Sequence, residues 1–270
     1  MKNLKFFDFH THIFPDQVAE NALSKIAGDS GVKPAFDGTY SGLISLINQI
    51  SGFSGALNCP IATKPDQVQS INSWAASLSK LPLISFGTIH PHSENKRKIL
   101  ENIKSAGLKG IKLHPEYQKF HPADNEMTEI WELCTELNLI VITHSGADAG
   151  IFENIRGTPE RFAEIIDNFQ DLKLVLAHFG GWFSWESVDK YIIGKNVFLD
   201  LSFTLGFIKQ SFLTDMIKRH GSDKILYGTD APWRDPKTYI GEFLSLGLSD
   251  SDNEKILYNN AAELLGLENS

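Results

Sequence analysis

Eight short apolar runs, each followed by a loop and most by a segment of helical period, organise this chain. They are Leu4–Phe9, Phe53–Asn58, Leu83–Ile89, Leu108–Leu113, Leu139–Thr143, Leu172–Ala177, Asn196–Leu201 and Lys224–Tyr227. Leu139-Ile-Val-Ile and Leu172-Lys-Leu-Val-Leu-Ala are nearly unbroken in apolar residues, the pattern of strands buried on both faces of a parallel sheet. Most runs start about one βα unit, ~30 residues, after the last. The first interval is longer, with room for two helices near Gln17–Ala27 and Tyr40–Ile50. Helix ends are marked too: Thr158-Pro159 reads as an N-cap followed by an N1 proline, and Gly107 and Gly221 as stops. Eight alternations predict an α/β protein, a closed (β/α)8 TIM barrel forming a single domain over residues 1–270. The competing open, doubly wound sheet would carry a Gly-rich loop after its first strand. Here that loop reads His10-Thr-His-Ile-Phe-Pro-Asp16.

Composition narrows the partners. Apolar residues make up 42% and charged residues 21% of the chain, as expected for a globular protein with a core and not for a disordered one. Asp and Glu number 33 against 25 Lys and Arg, a net charge of −8. Such a chain lacks the basic footprint that phosphate-backbone binding needs, so nucleic acid is excluded as an expected partner. No window approaches the ~20 apolar residues of a membrane span, and Asp8 and His10 arrive before a signal-peptide apolar stretch could form. Cys59 and Cys134 are too few for a disulfide framework, and Cys134 shares an apolar helix face with Met127, Ile130, Trp131 and Leu137. The expected compartment is the cytoplasm.

The nine histidines carry the functional signal. All except His121 and His220 fall at the carboxyl end of a predicted strand, where catalytic residues of a barrel converge. His10-Thr-His12 is the sharpest case: residues i and i+2 of a strand point the same way, so both imidazoles can reach one ion. Asp8 shares their parity and is expected to orient one of them. His144 follows Leu139–Thr143, and His178 follows Leu172–Ala177. Asp230 ends Leu226-Tyr-Gly-Thr-Asp, where a buried carboxylate must be paired or coordinated. Each has a plainer reading, as a packed core histidine or a turn aspartate; together they point to a metal site. His90-Pro-His92 is a second His-x-His, but its proline forces a turn, so substrate contact or loop packing is favoured over metal binding.

Phe7-Asp-Phe-His-Thr-His-Ile13, Gly110-Ile-Lys-Leu-His-Pro-Glu-Tyr-Gln118, Ile142-Thr-His-Ser-Gly146, Leu176-Ala-His-Phe-Gly-Gly181 and Leu226-Tyr-Gly-Thr-Asp-Ala-Pro-Trp233 occur in this order. The set resembles the amidohydrolase superfamily, most closely its amidohydrolase-related (amidohydrolase 2) family of metal hydrolases and aminocarboxymuconate-semialdehyde decarboxylase-type enzymes. Thr229 replaces the common Ser of the last motif and keeps its hydroxyl.

The resemblance implies one divalent ion, by its donors Zn2+ with other divalent metals as alternatives, bound by His10, His12, His144 and Asp230. His178 and Asp230 would be catalytic, with Asp230 accepting a proton from activated water and His178 stabilising the developing oxyanion. Lys112 and His114 share a strand face. With Tyr117, Trp182 and Arg156 they are the expected contacts for a small-molecule substrate. Lys112, if carboxylated, would bridge a second ion and make His178 a ligand; its plainer reading is a salt bridge. The leading activity is hydrolysis of an amide, ester or lactone; the alternative is non-oxidative decarboxylation of an unsaturated or aromatic acid. A non-catalytic barrel with a structural ion is the remaining class. By analogy the assembly would be a homodimer.

Overall fold

The computed structural model describes residues 4–267. The strands, in chain order, are β1 (Phe6–Thr11), β2 (Phe53–Asn58), β3 (Leu83–Ser85), β4 (Gly87–Thr88), β5 (Gly110–Leu113), β6 (Ile140–Thr143), β7 (Leu174–Leu176), β8 (Phe198–Asp200) and β9 (Ile225–Leu226). Every expected strand is present, and the third is divided at Phe86. Two side chains cause the division by taking ladder positions. Ser79 Oγ accepts from the backbone N–H of Ser85 (3.0 Å), and Asn72 brackets Thr88, accepting from its N–H (2.7 Å) and donating to its carbonyl (2.9 Å). The chain groups into two compact units, residues 1–58, 81–84 and 200–270 in one, and 59–80 and 85–199 in the other.

In the first unit β1 is buried along its whole length and pairs in parallel with β2, Phe6 opposite Phe53 and Asp8 opposite Ala56, with irregular register before Thr11. On its other side β1 is bonded to the segment leaving β9: Phe9 N–H donates to the Tyr227 carbonyl (2.8 Å), Asp230 N–H to that of His10 (2.8 Å) and His12 N–H to that of Ala231 (2.6 Å). These backbone bonds fasten Asp230 beside the two histidines. Tyr227 N–H finds its acceptor in the Ile256 carbonyl (2.9 Å), on the π-helical turn Lys255–Asn259. An aromatic cluster fills the core here, with the Tyr227 ring edge-on to Phe6 and Phe243, each at 5.8 Å.

In the second unit parallel register decides which residues emerge together. β5, β6 and β7 align Leu113, Thr143 and Leu176 in one row, so His114 and His144 leave adjacent strands side by side, and His178 follows one residue later. The helix Asn125–Glu136 packs Met127, Ile130, Trp131 and Cys134 inward, as their spacing predicts, and the Trp131 indole donates to the Pro122 carbonyl (2.9 Å). The helix Pro159–Asn168 has Thr158 at its N-cap and proline at its start. Among the described residues no helix is long and apolar enough to cross a membrane.

Candidate metal centre

In the first unit His10, His12 and Asp230 converge. Asp230 Oδ1 lies 3.1 Å from His12 Nε2 and 3.3 Å from His10 Nε2, and one ligand atom from each residue falls within 4.8 Å of the others. His10 is fully buried, and His12 and Asp230 expose only 14% and 13% of their side chains. The donor set, two imidazole nitrogens and a carboxylate oxygen in a shielded corner, fits a zinc-type divalent ion and leaves room for further ligands. Asp230 holds a left-handed backbone (φ 69°), a conformation that costs a non-glycine residue roughly 1–2 kcal/mol and marks a side chain aimed by its surroundings.

The partner of the His10 ring differs from the one expected. Asp8 does not touch the imidazole: its Oδ1 accepts the backbone N–H groups of His10 (3.2 Å) and Thr229 (2.9 Å), and its Oδ2 the Thr229 hydroxyl (2.5 Å). It braces β1 against the Asp230 segment. Burial pushes the Asp8 carboxyl up to about 7, although these hydrogen bonds pull the other way. The imidazole is met instead by Asp200, whose Oδ2 lies 2.8 Å from His10 Nδ1, and by the Ser202 hydroxyl at 2.9 Å. Sequence reasoning passed over both, although a buried acid in Phe198-Leu-Asp-Leu needs a partner as much as Asp230 does.

In the second unit His144 and His178 meet, with His178 Nε2 3.0 Å from His144 Nδ1. His144 Nε2 donates to the Ala147 carbonyl (2.9 Å), so Nδ1 carries the lone pair and accepts from His178 Nε2. His178 and Phe179 are both left-handed (φ 58° and 53°), a reversal that turns the chain just after β7. His114 stacks between Tyr117 (3.9 Å, 10°) and His144 (4.1 Å, 11°), and its Nε2 is 3.5 Å from Asp148 Oδ2. These three polar residues, His114, His144 and Asp148, also lie within reach of one ion. Parallel rings, however, direct their in-plane lone pairs side by side, so the group is better suited to stacking than to chelation.

The other expected contacts divide. Lys112 is buried in β5, its carbonyl accepting the Thr88 hydroxyl (3.1 Å). The Trp182 ring is buried and packs edge-on to Phe183 (4.5 Å). Arg156 pairs with the buried Glu116 (3.1 Å), which also accepts the backbone N–H groups of Arg156 (2.6 Å) and Gly157 (3.3 Å). Glu116→Ala is expected to cost about 2–3 kcal/mol, mostly from the two deserted backbone donors, since the half-exposed guanidinium can rehydrate. Urea unfolding measures it, and a cost below about 0.5 kcal/mol would contradict this account. His90 Nδ1 is occupied by the His92 backbone N–H (3.2 Å); burial first, then the His92 charge, holds its pKa below the usual value. His92 is exposed, 3.6 Å from Glu126.

Against known structures the similarity extends over nearly the whole chain. An uncharacterised TIM-barrel protein from Bordetella bronchiseptica is 19% identical with a TM-score of 0.76, covering 97% of this chain and 99% of its own. A dihydroxybenzoic acid decarboxylase from a Polaromonas species, with bound manganese and 2-nitroresorcinol, is 14% identical with a TM-score of 0.72, covering 98% of both chains. A protein described as a probable 2-pyrone-4,6-dicarboxylic acid hydrolase from Acinetobacter baumannii, with bound citric acid, is 15% identical with a TM-score of 0.68, covering 97% of this chain and all (100%) of its own. The shared fold is the (β/α)8 barrel. No curated protein matches. The amidohydrolase family profile matches residues 63–267, a span that includes His144, His178 and Asp230 and begins after His10 and His12. The chain belongs to the amidohydrolase family of enzymes.

Proposed function

We propose that the protein is a metal-dependent hydrolase of the amidohydrolase superfamily, cleaving an amide, ester or lactone bond in a small organic molecule in the cytoplasm. The observation that carries this reading is the convergence of His10, His12 and Asp230 on one point. These three would hold the ion, zinc by the nature of the donors; the family resemblance implies His144 as a fourth ligand. A divalent ion there acts as a Lewis acid that lowers the pKa of water toward ~7 or polarises a substrate oxygen. Asp230, whose Oδ1 faces the two imidazoles, can take a proton on its carboxylate. His178 would supply a hydrogen bond or proton where charge develops on the substrate. Of the expected substrate contacts, the exposed Tyr117 ring would offer an aromatic face and the half-exposed Arg156 a cation, while His114, Trp182 and Lys112, stacked or buried, would shape the wall behind them.

Decarboxylation of a small aromatic or unsaturated acid is the second reading. The described manganese-bound decarboxylase of the same fold supports it, as the described hydrolase supports the first. Assaying CO2 release against hydrolysis over one panel of carboxylates and lactones separates them: turnover with CO2 release alone rejects the hydrolase reading. In either case His178→Ala is expected to retain the ion and lose about 10²–10⁴-fold in turnover. Metal content by elemental analysis, alongside kcat, checks this. A protein that loses its ion would make His178 a ligand and point to two ions bridged by Lys112, which a mass gain of one CO2 would reveal.

A further inference from the structure

We infer that Asp200 and Ser202 act as a positioning pair for His10, holding its proton on Nδ1 and leaving Nε2 as the lone pair that faces the ion; this rests on the metal-centre reading above. The argument is one of proton counting. The Ser202 hydroxyl donates to Asp200 Oδ1, and the Ser202 backbone N–H donates to the same oxygen (2.9 Å). With its only hydrogen committed, Ser202 Oγ can offer His10 Nδ1 nothing but a lone pair at 2.9 Å. Asp200 Oδ2, at 2.8 Å from the same nitrogen, is also an acceptor. Two acceptors facing one ring nitrogen require that it carry the hydrogen, shared between them. In a neutral imidazole Nε2 then carries no hydrogen, and it is this nitrogen that lies 3.3 Å from Asp230 Oδ1.

Asp200, Ser202 and His10 are all fully buried, so water cannot exchange for these bonds, and a buried carboxylate holds the ring in one tautomer more firmly than a neutral group would. The arrangement also predicts what asparagine would do at position 200. The two Ser202 donors would pin the amide oxygen in the Oδ1 place and turn its NH2 toward Nδ1. The ring hydrogen would then move to Nε2, the wrong nitrogen for a ligand, the inversion that an Asp-to-Asn change causes when a carboxylate orients a histidine.

The test is long-range proton–nitrogen NMR on metal-free protein labelled with nitrogen-15 histidine, with the His10 signals identified by their loss in His10→Gln. Zn2+ affinity is measured in parallel by competition with a chromophoric chelator. Wild type is expected to show the Nδ1–H tautomer. Asp200→Asn is expected to show Nε2–H and a Kd for Zn2+ raised about 10–100-fold. Ser202→Ala, which leaves Oδ2 in place, is expected to keep Nδ1–H and a Kd within a few-fold of wild type. An Nε2–H tautomer in wild type overturns the inference without any variant, and so does an Asp200→Asn protein with wild-type tautomer and affinity. If Asp200→Asn does not fold, wild type and Ser202→Ala decide. A wild type that shows Nδ1–H but binds no Zn2+ rejects the metal centre itself, an outcome distinct from failure of the tautomer.

Discussion

Asp230→Asn is expected to abolish binding of the ion and, in metal-free protein, to raise stability by about 1 kcal/mol. In the absence of a cation the Asp230 carboxylate accepts a hydrogen bond from His12 Nε2 (3.1 Å) and lies 3.3 Å from His10 Nε2, whose lone pair, in the Nδ1–H tautomer, opposes it. An amide in the same place supplies an N–H donor for His10 Nε2, worth roughly 0.5–1.5 kcal/mol, while His12 keeps a bond by moving its hydrogen to Nδ1 and accepting the second N–H. Asparagine also tolerates the left-handed backbone at this position (φ 69°) at least as well as aspartate does. The same change replaces a charged oxygen ligand by a weak neutral one, so the ion and turnover are lost together. Stability and function thus move in opposite directions, as they do where a site is held in an arrangement that only its ligand relieves. Calorimetry of chelator-stripped wild type and variant should show a melting temperature higher by about 2–4 °C in the variant. A lower melting temperature, or a variant that still carries stoichiometric metal, would contradict the account.

Gly146→Ala is expected to be the most damaging single methyl in the second unit, costing about 4 kcal/mol or more. A Cβ there would stand 2.2 Å from the Trp182 nitrogen and 2.5 Å from both the Gly181 carbonyl carbon and the Trp182 oxygen, on a backbone at φ 88°. Those atoms are main chain and cannot rotate away. The two strand-end loops meet here: Trp182 N–H donates to the Ser145 carbonyl (3.0 Å), and Ala147 N–H to that of Trp182 (2.9 Å). Forcing them apart breaks both bonds and moves His144 and His178, which flank the junction. Gly107 is the control. It shares a positive φ (80°) but nothing lies within 4 Å of its Cβ position, so Gly107→Ala should cost only the conformational strain, about 1 kcal/mol. Urea unfolding of the pair separates steric exclusion from backbone preference; equal losses would show that the close approach to Trp182 is unimportant.

What could be read in advance followed local periodicity. His10 and His12 were recoverable because a two-residue spacing on a strand is a geometric statement, and His144 and His178 because each ends an apolar run. The registers of β5 to β7 then turn those run-ends into neighbours. Asp200 was within reach of the same burial argument that singled out Asp230, but it sits inside a strand pattern where alternation drew attention to its apolar neighbours. Glu116 and Asp148 gave no such signal, since their partners Arg156 and His114 lie 40 and 34 positions away. The left-handed turns at His178, Phe179 and Asp230 were equally silent: the enrichment of His and Asp in this region is too small to single out a position, and Phe has none. The division of the third strand at Phe86 came from side-chain amide and hydroxyl groups usurping ladder bonds, a tertiary effect that overrides β propensity.

The π-helical turn at Lys255–Asn259 makes the late part of this chain a matter of residue count. A π turn holds one residue more than an α turn, and the surplus leaves a carbonyl free to face elsewhere; here the Ile256 carbonyl caps Tyr227, three positions before Asp230, while Asn260 clasps the Ile225 carbonyl (2.7 Å). Shortening that helix by a single amino acid would rotate the acceptor by roughly 100° and untether the strand that delivers the acid. Drift at the solvent-facing positions of this stretch can therefore change letters but not length.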